Sequence, residues 1–166
     1  MQYSPRTYRF SNWLADHIYP FNISFNISDE AEIIKKELDP NTPITPKLIR
    51  KFVLDYDRLD LYNYAEQISN KLNKIVFPEF DIDLENKLID MFTKVEEAWH
   101  LIQYAEADSD KKQTFFNFSY IINRLLRVLK RTEYLGMFTI MKTDDKIQQY
   151  DVIFKKVCEC YEWNYE

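Results

Sequence analysis

"LENKLIDMFTKVEEAWHLIQY", residues 84–104, is the stretch that decides the fold of this 166-residue chain. Its apolar residues recur at the i, i+3, i+4, i+7 spacing that places side chains on one face of an α-helix. Asp81 or Asp83 is positioned to cap the first turn of this helix. The residues predicted to form its buried face are Leu84, Leu88, Met91, Phe92, Val95, Trp99 and Ile102.

The segments on either side of this helix carry similar patterns. Thr45 followed by Pro46 is an N-cap and first-turn pair, and Thr143 is placed to cap the last helix. The alternating residues 21–27, "FNISFNI", are a candidate strand or extended segment. Further helices are predicted over residues 6–18, 28–38, 45–56, 59–72, 116–131, 134–138 and 144–162. The predicted fold class is therefore all-α, a single compact multi-helix bundle of about seven helices.

The proline-rich loop "DPNTPITP", residues 39–46, is the clearest interruption of the helical pattern. We expect residues 1–44 to be an N-terminal helical extension packed on the body. Residues 45–166 are then the helical core of one domain. A chain of this length can bury a sizeable core without a disulfide or a metal.

Composition excludes several classes of function. The single glycine, Gly136, rules out the glycine-rich loops of nucleotide-binding proteins, and it disfavours sheet-rich folds with many tight turns. His17 and His100 are the two histidines, and no serine or cysteine lies in a recognisable nucleophile motif. A structural histidine is the favoured interpretation of His100, so we predict no enzymatic activity.

Metal binding and membrane insertion have equally little support. Cys158 and Cys160 are too close for an ordinary disulfide and too few for a structural zinc site, so we expect reduced thiols and no cofactor in this chain. No window resembles a signal peptide or a membrane span, which predicts an intracellular protein.

Charge is unevenly distributed along the chain, whose net charge is −5. Residues 79–110 contain ten acidic and two basic residues, whereas residues 111–131 contain six basic and no acidic residues. One interpretation is that two neighbouring helices of opposite sign neutralise each other. The other is that the basic segment contacts the phosphates of a nucleic acid.

The basic segment has two distinct faces when it is projected as a helix at about 100° per residue. Residues 116–131, "FNFSYIINRLLRVLKR", place their apolar residues on an arc of roughly 160°. The basic residues lie opposite, with Asn123 at the margin as a further polar contact. The candidate nucleic-acid-binding residues are Lys111, Lys112, Asn123, Arg124, Arg127, Lys130 and Arg131.

Asp151 is a carboxylate at the edge of the apolar face of the last predicted helix. A carboxylate in that position needs a partner, and Lys142, Arg124 or a backbone donor is available. We interpret Asp151 with Lys142 or Arg124 as a structural ion pair.

The C-terminal third, "FFNFSYIINRLLRVL" and then "FTIMKTDDKIQQYDVIFKKVCECYEWNYE", resembles the poxvirus late transcription factor three-like family of large DNA viruses. Upstream, "ISNKLNKIVFPEFDIDLENKLIDMF" and "YRFSNWL" are similar to earlier segments of the same family. The matching C-terminal residues are Phe118, Ser119, Tyr120, Lys142, Thr143, Asp151, Ile153, Phe154, Lys155, Lys156, Cys158 and Trp163.

The resemblance implies a non-enzymatic factor for transcription of late, post-replicative viral genes. Its implied partners are viral RNA polymerase or other late transcription factors, together with promoter DNA through the basic helix. It implies action in the host cytoplasm at viral replication sites or packaging in the virion. Two alternatives remain: a protein-interaction module that does not touch DNA, favoured by the net charge, and a virion structural protein.

The chain departs from the family pattern in two places. Members often carry a cysteine-rich zinc ribbon before the helical domain, whereas no cysteine precedes Cys158 here. Either the ribbon lies outside this sequence or this member lacks it. Gly136 also lies a few residues beyond the place where a turn glycine is expected after the basic helix.

Overall fold

The computed structural model describes residues 3–18, 27–75, 78–105, 114–138 and 143–165. Within these ranges the 3₁₀ helices are Leu59–Tyr64 and Thr132–Met137. The α-helices are α1 (Pro5–Ile18), α2 (Ile27–Glu37), α3 (Pro46–Asp55), α4 (Ala65–Leu72), α5 (Ile82–Ala105), α6 (Phe118–Val128) and α7 (Asp144–Tyr161). The all-α prediction is confirmed. Of the candidate strand, residues 21–26 lie outside the described residues, and Ile27 begins α2.

The helices begin close to the predicted caps. Asp81 Oδ1 accepts a hydrogen bond from the backbone N–H of Leu84 at 2.7 Å and so caps α5. Thr45 Oγ1 accepts from the N–H of Leu48 at 3.1 Å, ahead of Pro46 in the first turn of α3. The single helix predicted over 59–72 is instead a 3₁₀ helix followed directly by α4.

Four helix ends turn on a left-handed residue that is not glycine. Asp57, Lys74, Lys130 and Glu162 have φ between 56° and 58°. After each of them, the next N–H bonds to the carbonyl five residues earlier, at 2.7–2.9 Å. This is the Schellman cap, in which glycine is the usual left-handed residue. Side chains other than glycine occupy these positions at a conformational cost.

Tertiary contacts divide the chain into two units. Residues 1–15 with 79–166 form the first, which we call the aromatic unit, and residues 16–78 form the second, the aliphatic unit. The predicted boundary between residues 44 and 45 lies inside the aliphatic unit. The reason is that α2 packs against α4, so Ala31 and Ile34 share one core with Ile68. The proline-rich loop is a connection between helices of the same unit.

The aromatic unit is built around α5, which packs against both α6 and α7. Phe92, fully buried on α5, stacks on Phe10 of α1 with ring centroids 4.2 Å apart. Phe118 of α6 meets the same two rings edge-on. Most of the predicted face of α5 is buried as expected, while Trp99 and Ile102 are half-buried. The core around α5 therefore contains a cluster of packed rings beside its aliphatic residues.

The aliphatic unit has a core of a different composition. Its buried residues lie on α2, α3, α4 and the 3₁₀ helix between α3 and α4. None of its buried cluster residues is aromatic in the part of the chain described: they are Ala31, Ile34, Ile49, Val53, Leu61, Ala65, Ile68 and Leu72.

Candidate nucleic-acid interface

The α6 helix carries the predicted basic face, and its local sequence sets where it begins and ends. Asn117 Oδ1 accepts a hydrogen bond from the N–H of Ser119 at 2.8 Å and caps the start. One face, formed by Ile121, Ile122, Leu125 and Leu126, is fully buried.

The end of α6 comes earlier than predicted. The helix ends at Val128, and the left-handed Lys130 reverses the chain so that the N–H of Arg131 reaches the carbonyl of Leu126 at 2.8 Å. Lys130 and Arg131 therefore do not continue the helical face on which the projection placed them. Lys130 takes the left-handed position near which a turn glycine was expected.

Arg124 faces α7 and is held there. Its Nη2 lies 2.6 Å from Asp151 Oδ1, and the Tyr120 hydroxyl donates to the same oxygen at 2.6 Å. The Arg124 guanidinium also lies 4.8 Å from the ring centroid of Tyr165. The Arg124 side chain is only 16% exposed. Of the partners predicted for Asp151, the structure brings Arg124 to it, while Lys142 lies outside the described residues.

The electrostatics of this cluster keep Tyr120 protonated and Arg124 charged. Burial, followed by the hydrogen bond to Asp151, raises the pKa of Tyr120 well above its ordinary value. Burial acts to lower the pKa of Arg124, but its bonds to Asp151 and Tyr120 outweigh burial, and the pKa ends above its ordinary value. A protonated phenol and a guanidinium therefore share one carboxylate.

Arg131 is also held by groups within its own unit. Its Nε lies 2.6 Å from Glu133 Oε1, and its guanidinium donates to the Tyr134 hydroxyl at 3.1 Å. The bond to Glu133 raises the pKa of Arg131, and the charge of Asp81 before α5 adds a smaller contribution in the same direction. Asp81 belongs to the acidic segment 79–110 and Arg131 to the basic segment 111–131, so this effect is a small contribution of the kind that the rival interpretation expected.

Arg127 and Lys130 differ from these two arginines. Arg127 donates its Nε–H to Asn123 Oδ1 at 2.9 Å, so its direct partner is a neutral amide that leaves the positive charge in place. Lys130 is exposed to solvent at the end of α6. The remaining candidates, Lys111 and Lys112, lie outside the described residues.

Two residues near Arg124, namely Lys155 and Tyr165, were not among the candidates named from the sequence. Lys155 of α7 places its ammonium 5.1 Å from the ring centroid of Tyr165, the same ring that Arg124 contacts. Lys155 follows Asp151 by four positions, so both lie on one side of α7. That spacing was readable in the sequence. The position of the Tyr165 ring, close to both Arg124 and Lys155, was not readable in the sequence.

The two cysteines of α7 have different surroundings. Cys158 is buried and Cys160 is exposed, on different sides of α7, and a structural zinc site needs about four ligands. Burial raises the pKa of the Cys158 thiol to about 11, which disfavours the thiolate that a metal requires. Among the described residues no group of three or more His, Cys, Asp or Glu side chains is placed to hold a metal ion. Across the same ranges, no helix has the length and apolarity needed to cross a bilayer.

The family described as Poxvirus Late Transcription Factor VLTF3 like matches residues 4–165. This chain belongs to that family. The resemblance noted in the sequence is thereby confirmed over almost the whole length, and the described helices from α1 to α7 all fall within the match.

Two relatives from large DNA viruses are similar to the chain. A protein of Paramecium bursaria Chlorella virus 1, named "Putative transcription factor A494R", is 23% identical over 136 residues, which is 82% of this chain and 36% of the relative. A protein of Acanthamoeba polyphaga mimivirus, named "Putative transcription factor R429", is 24% identical over 132 residues, 80% of this chain and 29% of the relative. The chain thus spans about a third of the length of these relatives. No solved structure matches it.

Proposed function

We propose that this domain is a non-enzymatic factor in the transcription of late viral genes, acting with the viral RNA polymerase at promoters and touching promoter DNA through Arg127 and Lys130. Membership of the late transcription factor family supports the process. The observation that carries the DNA contact is the pairing of Arg127 with a neutral amide, because this leaves a cation at the surface of a rigid helix.

The four basic residues of this region are not equivalent in the proposal. Arg124 and Arg131 each have a carboxylate within 2.6 Å, so recruiting either to a phosphate would require breaking an existing ion pair. Arg127 and Lys130 carry no such cost. Both lie near the C-terminal end of α6, close enough in sequence for neighbouring phosphates of one strand to meet both.

The overall charge makes the expected contact local and sensitive to salt. A net charge of −5 repels DNA at long range, so association gains nothing from steering by the whole domain. Each phosphate contact releases counterions, and the logarithm of affinity falls with the logarithm of salt by about 0.9 per contact. Two contacts alone would give weak, sequence-independent binding. Promoter choice would then come from partners or from other parts of a longer protein.

Fluorescence anisotropy with a labelled duplex, across a range of salt concentrations, tests this proposal. The double variant Arg127→Gln with Lys130→Gln is expected to weaken binding and to reduce the salt slope by about 1.8, the value for two contacts. The matched control is Lys35→Gln with Lys36→Gln, which removes two exposed charges from α2. An equal loss in both double variants, or no loss in the first, would refute the assigned face.

A protein-interaction module without DNA contact is the second candidate. It is favoured by the ion pairs of Arg124 and Arg131, which engage two of the four basic residues of the segment 116–131. Purification of the tagged protein from infected cells distinguishes the two. Recovery of polymerase subunits after nuclease treatment, together with no duplex binding at low salt, would select this candidate.

A further inference from the structure

Arginine, carboxylate and aromatic ring recur together in the aromatic unit. In each case the guanidinium pairs with a carboxylate and lies within 5.1 Å of a ring centroid. The three sets are Arg6 with Glu96 and Phe115, Arg124 with Asp151 and Tyr165, and Arg131 with Glu133 and Tyr134. The combination is favourable because a guanidinium can stack on a ring face while its edge donates to a carboxylate.

A cavity at the end of α7 has two of these three components, the carboxylate and the aromatic ring. Its volume is about 640 Å³, and it lies between the last turn of α7 and the chain that follows. The left-handed Glu162 turns the chain, and the N–H of Trp163 returns to the carbonyl of Cys158 at 2.9 Å. The carboxylates of Glu159 and Glu162 and the rings of Trp163 and Tyr165 line the cavity.

The two carboxylates are not neutralised in the chain as described. Both are exposed, and among the described residues neither has an ion-pair partner. They also lie at the C-terminal end of an 18-residue helix whose last turn contains no basic residue. The helix dipole is negative at that end, so it reinforces the field of the carboxylates instead of opposing it. The cavity therefore attracts a cation.

Lys155 is the one basic residue in the lining. Its ammonium lies 5.1 Å from the Tyr165 centroid, which shows that this wall of the cavity already accommodates a positive charge. One ammonium against two carboxylates leaves a net negative charge. The indole of Trp163, half-buried at the rim, has no cation on it in the described contacts.

We propose that this cavity binds an arginine side chain of a partner polypeptide. The guanidinium stacks on Trp163 and donates to the carboxylates of Glu159 and Glu162, completing a fourth set of the kind found three times inside the unit. This surface differs from the Arg127–Lys130 face and does not depend on DNA binding.

Arginine fits better than the other ligands of similar size. Its planar fork can meet two carboxylates and stack at the same time, whereas a lysine ammonium is a strongly hydrated point charge. A nucleotide could stack on the same rings, but its phosphate would approach two uncompensated carboxylates.

Proton–nitrogen NMR titration of the whole chain tests the proposal. The chain has three tryptophans, so the indole N–H signals of Trp13, Trp99 and Trp163 report on three separate places. The probe is the capped peptide acetyl-Gly-Arg-Gly-amide, and the control probe replaces Arg by Glu. We expect the arginine peptide to shift the Trp163 indole signal and the Glu162 and Asn164 amide signals in a saturable way. The Trp13 and Trp99 indole signals should stay in place.

Variants and a further probe make each outcome decisive. The double variant Glu159→Gln with Glu162→Gln is expected to weaken binding of the arginine peptide about tenfold, which is the effect of losing two exposed ion pairs. Unchanged Trp13 and Trp99 signals would verify that the variant is folded. The proposal is overturned if the glutamate peptide shifts Trp163 equally, if the double variant binds as well as the parent, or if single-stranded oligothymidine shifts Trp163 more strongly than the arginine peptide does.

Discussion

The aromatic unit and the aliphatic unit differ in the side chains that form their cores. Around Phe92 the rings of Phe10, Phe115 and Phe118 lie with centroids 4.2–5.8 Å away. The buried cluster of the aliphatic unit, in the part described, has branched and small residues only. Among its rings, Tyr56 and Tyr62 are exposed, while Phe52 and Tyr64 are partly buried and pack against the cluster.

Rings near the surface bear on where the arginines lie in both units, since Arg50 of the aliphatic unit also pairs with a carboxylate, that of Glu66, and lies 5.9 Å from the ring centroid of Tyr62. A ring at the edge of a core has an exposed face that a guanidinium can cover, which an aliphatic side chain cannot offer. In the aromatic unit Arg6, Arg124 and Arg131 are accordingly built into the fold. A basic segment in a chain rich in aromatic residues can therefore present fewer free cations than its sequence suggests.

The largest expected effect tests the two cores directly. Phe92→Ala should lower the free energy of unfolding by about 3–5 kcal/mol, and Ile68→Ala in the aliphatic unit by about 2–4 kcal/mol, because the ring loses more buried area and its ring contacts. Urea denaturation followed by far-UV circular dichroism measures both. A smaller loss for Phe92→Ala than for Ile68→Ala would contradict the central role of the ring cluster.

The next effect distinguishes an arginine inside the fold from one at its edge. Asp151→Asn leaves Arg124, 16% exposed, without its counter-charge and should cost about 1–3 kcal/mol. Glu133→Gln is the matched control, since Arg131 and Glu133 are 38% and 40% exposed, and it should leave the free energy of unfolding nearly unchanged. The same denaturation measurement applies. Equal losses in the free energy of unfolding for the two variants would mean that the partial burial of Arg124 does not strengthen its ion pair.

A third pair of variants should act equally in both units, because it concerns the backbone and not the core. Lys74→Gly in the aliphatic unit and Lys130→Gly in the aromatic unit each relieve a left-handed non-glycine residue. Each should raise the free energy of unfolding by about 0.5–1 kcal/mol. Lys51→Gly, inside α3, is the control and should lower it by about 1 kcal/mol. A destabilising Lys74→Gly would show that the lysine side chain supports the cap.

The smallest effect compares two thiols of the same helix and concerns reactivity. Cys160 is exposed, whereas burial raises the pKa of Cys158 from 9.0 to about 11. A disulfide reagent at about pH 8 should therefore label one thiol quickly and the other only on unfolding. The raised pKa also means that the contribution of this proton to stability is present below about pH 9 and lost as the pH rises towards 11. Two fast thiols at pH 8 would contradict the burial of Cys158.

Much of the secondary structure could be predicted because it depends on local rules. The period of α5, its Asp81 cap and the Thr45–Pro46 start of α3 are short-range features, and each occurs as expected. The division into two units could not be read in this way. Prolines mark an interruption of helix, but only the packing of Ala31 and Ile34 on α4 shows that the chain on both sides shares one core.

The candidate site also has parts that were predictable from the sequence and parts that were not. The apolar face of α6 was predictable from spacing, and the family from ordered motifs along the chain. The end of α6 was not predictable. Its Schellman cap has a lysine, Lys130, at the left-handed position, so the sequence lacks the glycine that usually marks such a helix end.

By itself, the sequence determined that this chain is helical, which faces of α5, α6 and α7 are buried, and to which family it belongs. Only the tertiary structure decided which basic residues remain available. Asp151 lies 27 positions after Arg124, and Tyr165 follows at the end of α7, yet both meet the same guanidinium. Charge along a sequence is a local property, whereas neutralisation depends on which side chains the packing of helices brings within a few ångströms.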